Sequence, residues 1–455
     1  MSLALQRAFA YADGHAEQHL RRLCDQLRQP TVSATGEGLR EAAGRLREWL
    51  ARLGFDARLL GDGSHPLVAG ARRDVPGAPT VLLYGHYDVQ PPGDRALWSG
   101  DPFEPRIADG RLYARGAADN KGQHVAQLLA LETLLECDGE LPCNVVVVLD
   151  GEEEIGSPQL AATVGRHRDL LAADVVIAAD GPGHPDGRVR IIAGCRGCLS
   201  FELSVTTARR ELHSGNWGGV APNAAWELVR ALAALRGADG ALTVPGLEPD
   251  PARVGALRDA ARTLPVDLDA VRADSGIERL DAPVVRGFHE RLTAWPALSV
   301  NALAAGPCDP AAAGAAIPAH ATARCDLRLV PGQEPEAAFA ALERRLAEVA
   351  PEVRLRRTGG AMAPASSPVD SPLLARLEAA VARGQGAAPL VEPLVGGSLP
   401  LATWQQQLGC PAYVVTYANH DCATHAPEEN ITLDAFRRGI RSGIATLLAF
   451  GEAAP

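Results

Sequence analysis

Four short runs of apolar residues, bounded by Gly, Pro or Asp, constrain this chain more than any other feature. They are Thr80-Val-Leu-Leu-Tyr84, Asn144-Val-Val-Val-Val-Leu149, Asp174-Val-Val-Ile-Ala178 and Ala412-Tyr-Val-Val-Thr416. Continuous apolar runs of this length, without alternating polar positions, are typical of strands buried on both faces of a sheet. A helical pattern lies between Lys121 and Glu136, with Val125, Leu128, Leu129, Ala130 and Leu134 on its apolar side. Ahead of the strands, the stretches from about Leu5 to Leu27 and from Leu39 to Leu53 carry apolar residues at helical spacing. Strands alternating with helices predict an α/β layer sandwich.

From about Leu199 to Arg357 the pattern changes to strand (Leu199 to Thr206), helix (Pro222 to Leu235), strand (Leu298 to Leu303), strand (His320 to Leu329), helix (Glu334 to Val349) and strand (Glu352 to Arg357). That is the split βαβ order of a ferredoxin-like α+β module, interrupted by a Pro-rich insertion from about Pro245 to Pro296. The α/β pattern then resumes, ending in a helix from Leu433 to Phe450. A chain of 455 residues exceeds what one core usually organises. The expected arrangement is therefore a discontinuous domain, 1–197 and 361–455, with a second domain, 198–360, inserted in it.

Three of the four strands run directly into residues that bind metals. The first leads into Gly85-His86-Tyr87-Asp88, the second into Asp150-Gly-Glu152-Glu153-Glu154 and the third into Asp180. The fourth leads through a loop to His425, and Asp119 stands just ahead of the Lys121 helix. Open α/β sheets place their ligands at the carboxyl ends of strands, so these separated segments converge on one crevice. Zinc takes imidazole and carboxylate ligands, and two ions about 3.5 to 4 Å apart need one shared carboxylate. Two histidines and three acids suffice, with a further unligated carboxylate to move the proton.

The strings Leu83-Tyr-Gly-His-Tyr-Asp-Val-Gln-Pro91, Arg115-Gly-Ala-Ala-Asp-Asn-Lys-Gly122, Gly151-Glu-Glu-Glu-Ile-Gly-Ser157 and Thr424-His-Ala-Pro-Glu428 resemble the di-zinc metallopeptidase family of aminoacylases, glutamate carboxypeptidases and carnosinase-type dipeptidases. The resemblance spans nearly the whole chain, with the motifs in family order. It implies a zinc-peptidase-like α/β/α catalytic domain with an inserted lid and dimerisation domain. It also implies that His86 and Asp180 hold one zinc, Glu154 and His425 the other, and Asp119 bridges both, through a cis peptide to Asn120. Glu153 becomes the general acid/base, acting on a hydroxide that bridges the two ions. Asp88, two residues after His86, is similar to the carboxylate that orients the metal-binding imidazole.

In the inserted module, Glu211-Leu-His-Ser-Gly-Asn-Trp-Gly-Gly219 is similar to the family segment whose histidine, here His213, stabilises the oxyanion across a dimer interface. Asn301, Arg328, Gly396, Gly397 and Ser398 match positions that hold the substrate, Arg328 being suited to a bidentate grip on a carboxylate. Leu394 and Val395 stand where a charged pair commonly precedes the glycines, a departure that bears on substrate choice. The function implied is hydrolysis of the amide bond of a dipeptide or N-acyl amino acid by a homodimer holding two divalent ions, Zn2+ or alternatively Mn2+ or Co2+.

Other function classes fit less well. A zinc-containing binding protein that has lost turnover needs the ligands but not the unligated Glu153. A serine hydrolase needs a G-x-S-x-G elbow, and Gly397-Ser398-Leu399 lacks the following glycine. The formal net charge of -11 disfavours nucleic acid and anionic membranes as partners. Nine cysteines, an odd number, with no secretory pattern in the first residues, fit reduced thiols in the cytoplasm, and the isolated Cys195-x-x-Cys198 pair has no partner pair to make a zinc ribbon. Lys121, the only lysine, reads as a surface charge at a helix start. His65, His124, His167, His184, His289 and His320 read as surface or packing residues, with His420 near enough in sequence to His425 to support it.

Overall fold

The computed structural model describes the chain apart from residues 1, 62, 279–286, 308, 310–313 and 453–455. It divides into two compact units: Met1–Gly194, Ser367–Glu392 and Thr403–Pro455 form one, Cys195–Ser366 with Pro393–Ala402 the other. The Pro393–Ala402 loop, expected with the catalytic segments, therefore groups with the inserted unit. Within that unit Arg196 donates to the Gly396 carbonyl and Arg328 to Ser398, which ties the loop to the strand ends there.

The first unit is built on an eight-stranded mixed sheet. Its centre is three parallel neighbours, Asn144–Asp150, Thr80–His86 and Val175–Ala179, followed by Ala412–Val415, parallel to the last of them. Every residue of Thr80–His86 is buried, as a strand covered on both faces must be. The Lys121–Asp138 and Leu433–Gly451 helices contribute Val125, Leu128, Leu129, Ile440 and Ile444 to the core on the sheet. The expected N-terminal helix is two, Leu3–Gly14 and Ala16–Leu27, because His15 leaves helical geometry with φ -107° and ψ 14°. Lys121 is not a surface charge. It is 2% exposed, and its Nζ donates to the carbonyls of Gln26 and Gln29, capping the carboxyl end of the Ala16–Leu27 helix.

The second unit carries a four-stranded antiparallel sheet in the order Ala297–Ala305, His320–Leu329, Gly197–Thr206, Arg354–Met362. Here burial alternates: Leu199, Phe201, Leu203 and Val205 face a core shared with the Ala224–Ala233 and Pro335–Val349 helices, and their neighbours do not. The Pro-rich insertion, for which no elements were expected, contains the helices Pro251–Thr263, Leu268–Ser275 and Phe288–Ala294, while part of it lies outside the described residues. Pro251 opens the first of these at a position where proline is tolerated, behind an Asp250 side chain that accepts from the Ala252 N–H. Among the described residues no helix is long and apolar enough to cross a membrane.

Candidate metal centre

The first unit brings the five expected ligands into two overlapping triads, His86–Asp119–Asp180 and Asp119–Glu154–His425. His86 ends its strand, Asp180 directly follows Val175–Ala179, and Glu154 sits in a short turn four residues past the Asp150 strand end. His86 Nε2 lies 2.9 Å from Asp119 Oδ1 and 3.8 Å from Asp180 Oδ2. His425 Nε2 lies 3.1 Å from Asp119 Oδ2 and 3.1 Å from Glu154 Oε2. Each oxygen of Asp119 thus serves one triad. The Asp119–Asn120 peptide is cis, and His425 has a φ of 63°, a left-handed conformation rare outside glycine and typical of functional positions.

The residues present fit a pair of divalent cations. Glu154 Oε1 is buried without a hydrogen-bond partner among the described residues, and His86 Nε2 faces only carboxylates, costs that a metal bond removes. Burial and the neighbouring Asp180, Asp119 and Glu154 carboxylates drive Glu153 well above the usual carboxylate range, against the pull of His86. Burial, then the Asp119 charge, pushes Asp180 up to about 7. Burial also opposes ionisation of Asp119, but hydrogen bonds from His425 and His86 outweigh it and hold this carboxyl below its usual range. Bonds to Asp119 and Glu154 raise His425 to about 10, and burial opposes the shift. Protons on the imidazoles thus occupy the place of the positive charge that two ions would bring, and metal binding would displace them. An all-nitrogen-and-oxygen donor set suits zinc, manganese or cobalt.

A shell of buried polar groups fixes these ligands. Asp88, fully buried, lies 3.3 Å from His86 Nδ1, which turns Nε2 toward the triad. The same carboxylate accepts the backbone N–H groups of Glu153 and Glu154 at 3.2 and 3.0 Å, joining two strand ends. Three supports were not anticipated. Asn120 accepts from His86 N–H and donates to the Ala179 carbonyl, bracketing two ligand-bearing strands. Gln90 donates to Glu154 Oε2 at 2.9 Å. Glu429, fully buried, accepts from Arg115 Nη1 and from the N–H groups of Gly116, Ala118 and Asp119, at 2.7 to 2.9 Å. Gln90 and Asn120 lie inside the motifs quoted above, and Glu429 directly follows one, so proximity was the available signal. Gly85 is needed for close approach: a Cβ there would lie 2.7 Å from His124 Cβ.

Of the remaining histidines, His124 is buried with Nδ1 2.9 Å from the His86 carbonyl. His420 does not reach the ligands; its nearest charged partner is Asp421, at 4.0 Å. In the second unit, Arg328 and Ser398 are brought together, Nη1 to Oγ 2.9 Å. Gly397 adjoins them in the same loop. His213 is exposed at the start of the Ser214–Trp217 turn, accepting from Gly215 N–H. Asn301 is also exposed, at the register shift between Val300 and Ala302 in the Ala297–Ala305 strand.

A carboxylate divided between two His-and-acid triads, with a further half-buried glutamate beside it, defines the metal-dependent hydrolases that work with a pair of ions. The chain belongs to peptidase family M20/M25/M40, whose family model matches residues 82–449. It is 29% identical over 430 residues to a cysteinylglycine-S-conjugate dipeptidase of Corynebacterium striatum, covering 90% of each chain. It is 28% identical over 350 residues to a Beta-Ala-His dipeptidase of Rattus norvegicus, covering 73% of this chain and 71% of that one. The solved structure of an M20 family metallo-carboxypeptidase from Sulfolobus solfataricus matches with a TM-score of 0.87 at 29% identity, over 95% of this chain and 99% of that one.

Proposed function

We propose that this protein is a two-metal dipeptidase that hydrolyses the amide bond of a dipeptide carrying a free terminal carboxylate. The carrying observation is Asp119, whose two oxygens each face a different histidine, with Glu153 among the ligands but in neither triad. Bound at these triads, two Zn2+ ions, or Mn2+ or Co2+, would supply Lewis acidity and a water acidified to near neutrality. Glu153, beside the ligands but in neither triad, accepts the proton of that water and returns it to the leaving nitrogen. Asp88 holds the His86 imidazole in the orientation that leaves Nε2 free. The relatives named above, dipeptidases for cysteinylglycine S-conjugates and for Beta-Ala-His, favour a dipeptide over an N-acyl amino acid as substrate.

The inserted unit, about 198–360 with the 393–402 loop, serves in this reading as lid and dimerisation domain. Arg328, Ser398, Gly397 and Asn301 hold the substrate's carboxyl end, and His213 of the second protomer donates to the oxyanion. Dimerisation is supported by the Ala297–Ala305 edge strand, which exposes Val300 and Leu303, and by Trp226, 67% exposed on the Ala224–Ala233 helix. Unpaired apolar edges of this kind pair with another chain. The eight described cysteines are free, which agrees with a cytoplasmic location.

The experiment is reconstitution. Protein stripped with chelator and reloaded with zinc, manganese or cobalt is assayed against dipeptides and N-acyl amino acids. Turnover of dipeptides restored at two ions per chain is the expected result. No hydrolysis by fully loaded protein, or full activity with one ion, overturns the reading.

A further inference from the structure

Two guanidinium groups of the second unit close on one loop. Arg328 donates from Nη1 to Ser398 Oγ at 2.9 Å, and Arg196 donates from Nε to the Gly396 carbonyl at 2.8 Å. The Arg196 backbone N–H adds contacts to the Val395 and Gly397 carbonyls. Gly396 is walled in: a Cβ there would lie 2.7 Å from Leu292 Cδ1 and 3.2 Å from Arg196 Nη2. The loop is thereby pinned with both cations against it.

The charges do not balance. Arg196 is only 8% exposed, yet among the described residues it has no ion-pair partner. The acid that acts on it, Asp326, is already hydrogen bonded to Arg328 Nε at 3.2 Å. Two guanidiniums therefore share one carboxylate. Burial, and then repulsion from Arg328, lowers the Arg196 pKa to about 10, so it stays charged at neutral pH. An unpaired charge kept out of water is costly unless an anion completes it. A carboxylate is an anion whose two oxygens match guanidinium donors, and it is the anion that a dipeptide's terminus supplies.

We propose that Arg196 is a second cationic contact for the terminal carboxylate of the substrate, making with Arg328 and the Gly396–Ser398 loop a subsite with two cations rather than a single arginine. This rests on the dipeptidase reading. It makes the subsite selective for a free acid over a carboxamide, because an amide leaves the surplus charge unmet. Arg196 contributes this selectivity itself, beyond holding the loop.

The test measures binding, so that it does not depend on turnover. Metal-loaded Glu153→Gln protein, with and without Arg196→Gln or Arg196→Lys, is titrated calorimetrically with Cys-Gly and with its C-terminal amide. The expected result is that Arg196→Gln weakens Cys-Gly roughly ten- to a hundred-fold, the scale of a lost charge-assisted hydrogen bond, and weakens the amide less than about three-fold. Arg196→Lys should fall between, keeping the charge without the fork. Equal weakening of acid and amide would reduce Arg196 to a scaffold and overturn the proposal, as would no change for either. If Arg196→Gln fails to fold, the Lys variant decides by the same acid-to-amide ratio. Failure of the parent protein to bind either probe would instead overturn the dipeptidase reading.

Discussion

The two units treat their functional side chains in opposite ways. In the first, the proposed ligands are gathered from strand ends, a helix start and a loop under a dense set of supports, with Asp88, Asn120 and Glu429 almost wholly sealed from solvent. In the second, His213 and Asn301 are exposed. The difference fits the tasks proposed for them. Geometry about a metal must be held to fractions of an ångström, whereas groups that meet a substrate must first be reachable.

The largest effect tests the chemistry of the buried unit. Glu153→Gln should lower kcat by about two to four orders of magnitude while metal analysis still finds two ions per chain. Near-normal turnover with full occupancy would remove Glu153 from its role. The exposed unit is tested next. His213→Ala should lower kcat by about two orders of magnitude, as oxyanion donors do when lost, with metal content unchanged. Mixing His213→Ala chains with Glu153→Gln chains should recover partial activity, because one site of the mixed dimer receives both intact groups. Verified mixed dimers that stay inactive would show that the site is not shared.

Asp88→Asn sharpens the contrast. Losing the carboxylate that both orients His86 and anchors Glu153 and Glu154 should weaken metal binding roughly ten- to a hundred-fold with unchanged circular dichroism. Unaltered affinity in a chelator competition would mean that the supports do not tune the centre. The smallest effect is expected at the edge of this network. Lys121→Met deprives the Gln26 and Gln29 carbonyls of their donor and should cost about 1–2 kcal/mol in urea denaturation, with both ions retained. A variant as stable as the parent would show that water replaces the amine without loss.

The contrast also explains what was legible in the sequence. The strands were readable because complete burial writes itself as continuous apolar runs; His86 and Asp180 were readable because they stand at the ends of those runs, and Asp119, Glu154 and His425 because they lie in or beside the motifs that carry the family resemblance. Glu429 was not readable, since its meaning comes from four donors more than 300 residues away in sequence. Lys121 was misread for a similar reason: its partners are carbonyls of a distant helix end, which no local pattern announces. The helix starting at Pro251 was missed although its signal, an aspartate followed by proline, stood in the sequence.

The sealed amine has a practical consequence. Lys121 is the only lysine in the sequence, and in the folded state its side chain is buried with its Nζ donating to two carbonyls. Amine-directed labels and cross-linkers therefore find no accessible lysine on the native surface, and trypsin must rely on arginine. Acylation at Lys121 would accordingly serve as a clock for opening of the Ala16–Leu27 helix, a built-in reporter that needs no engineered probe.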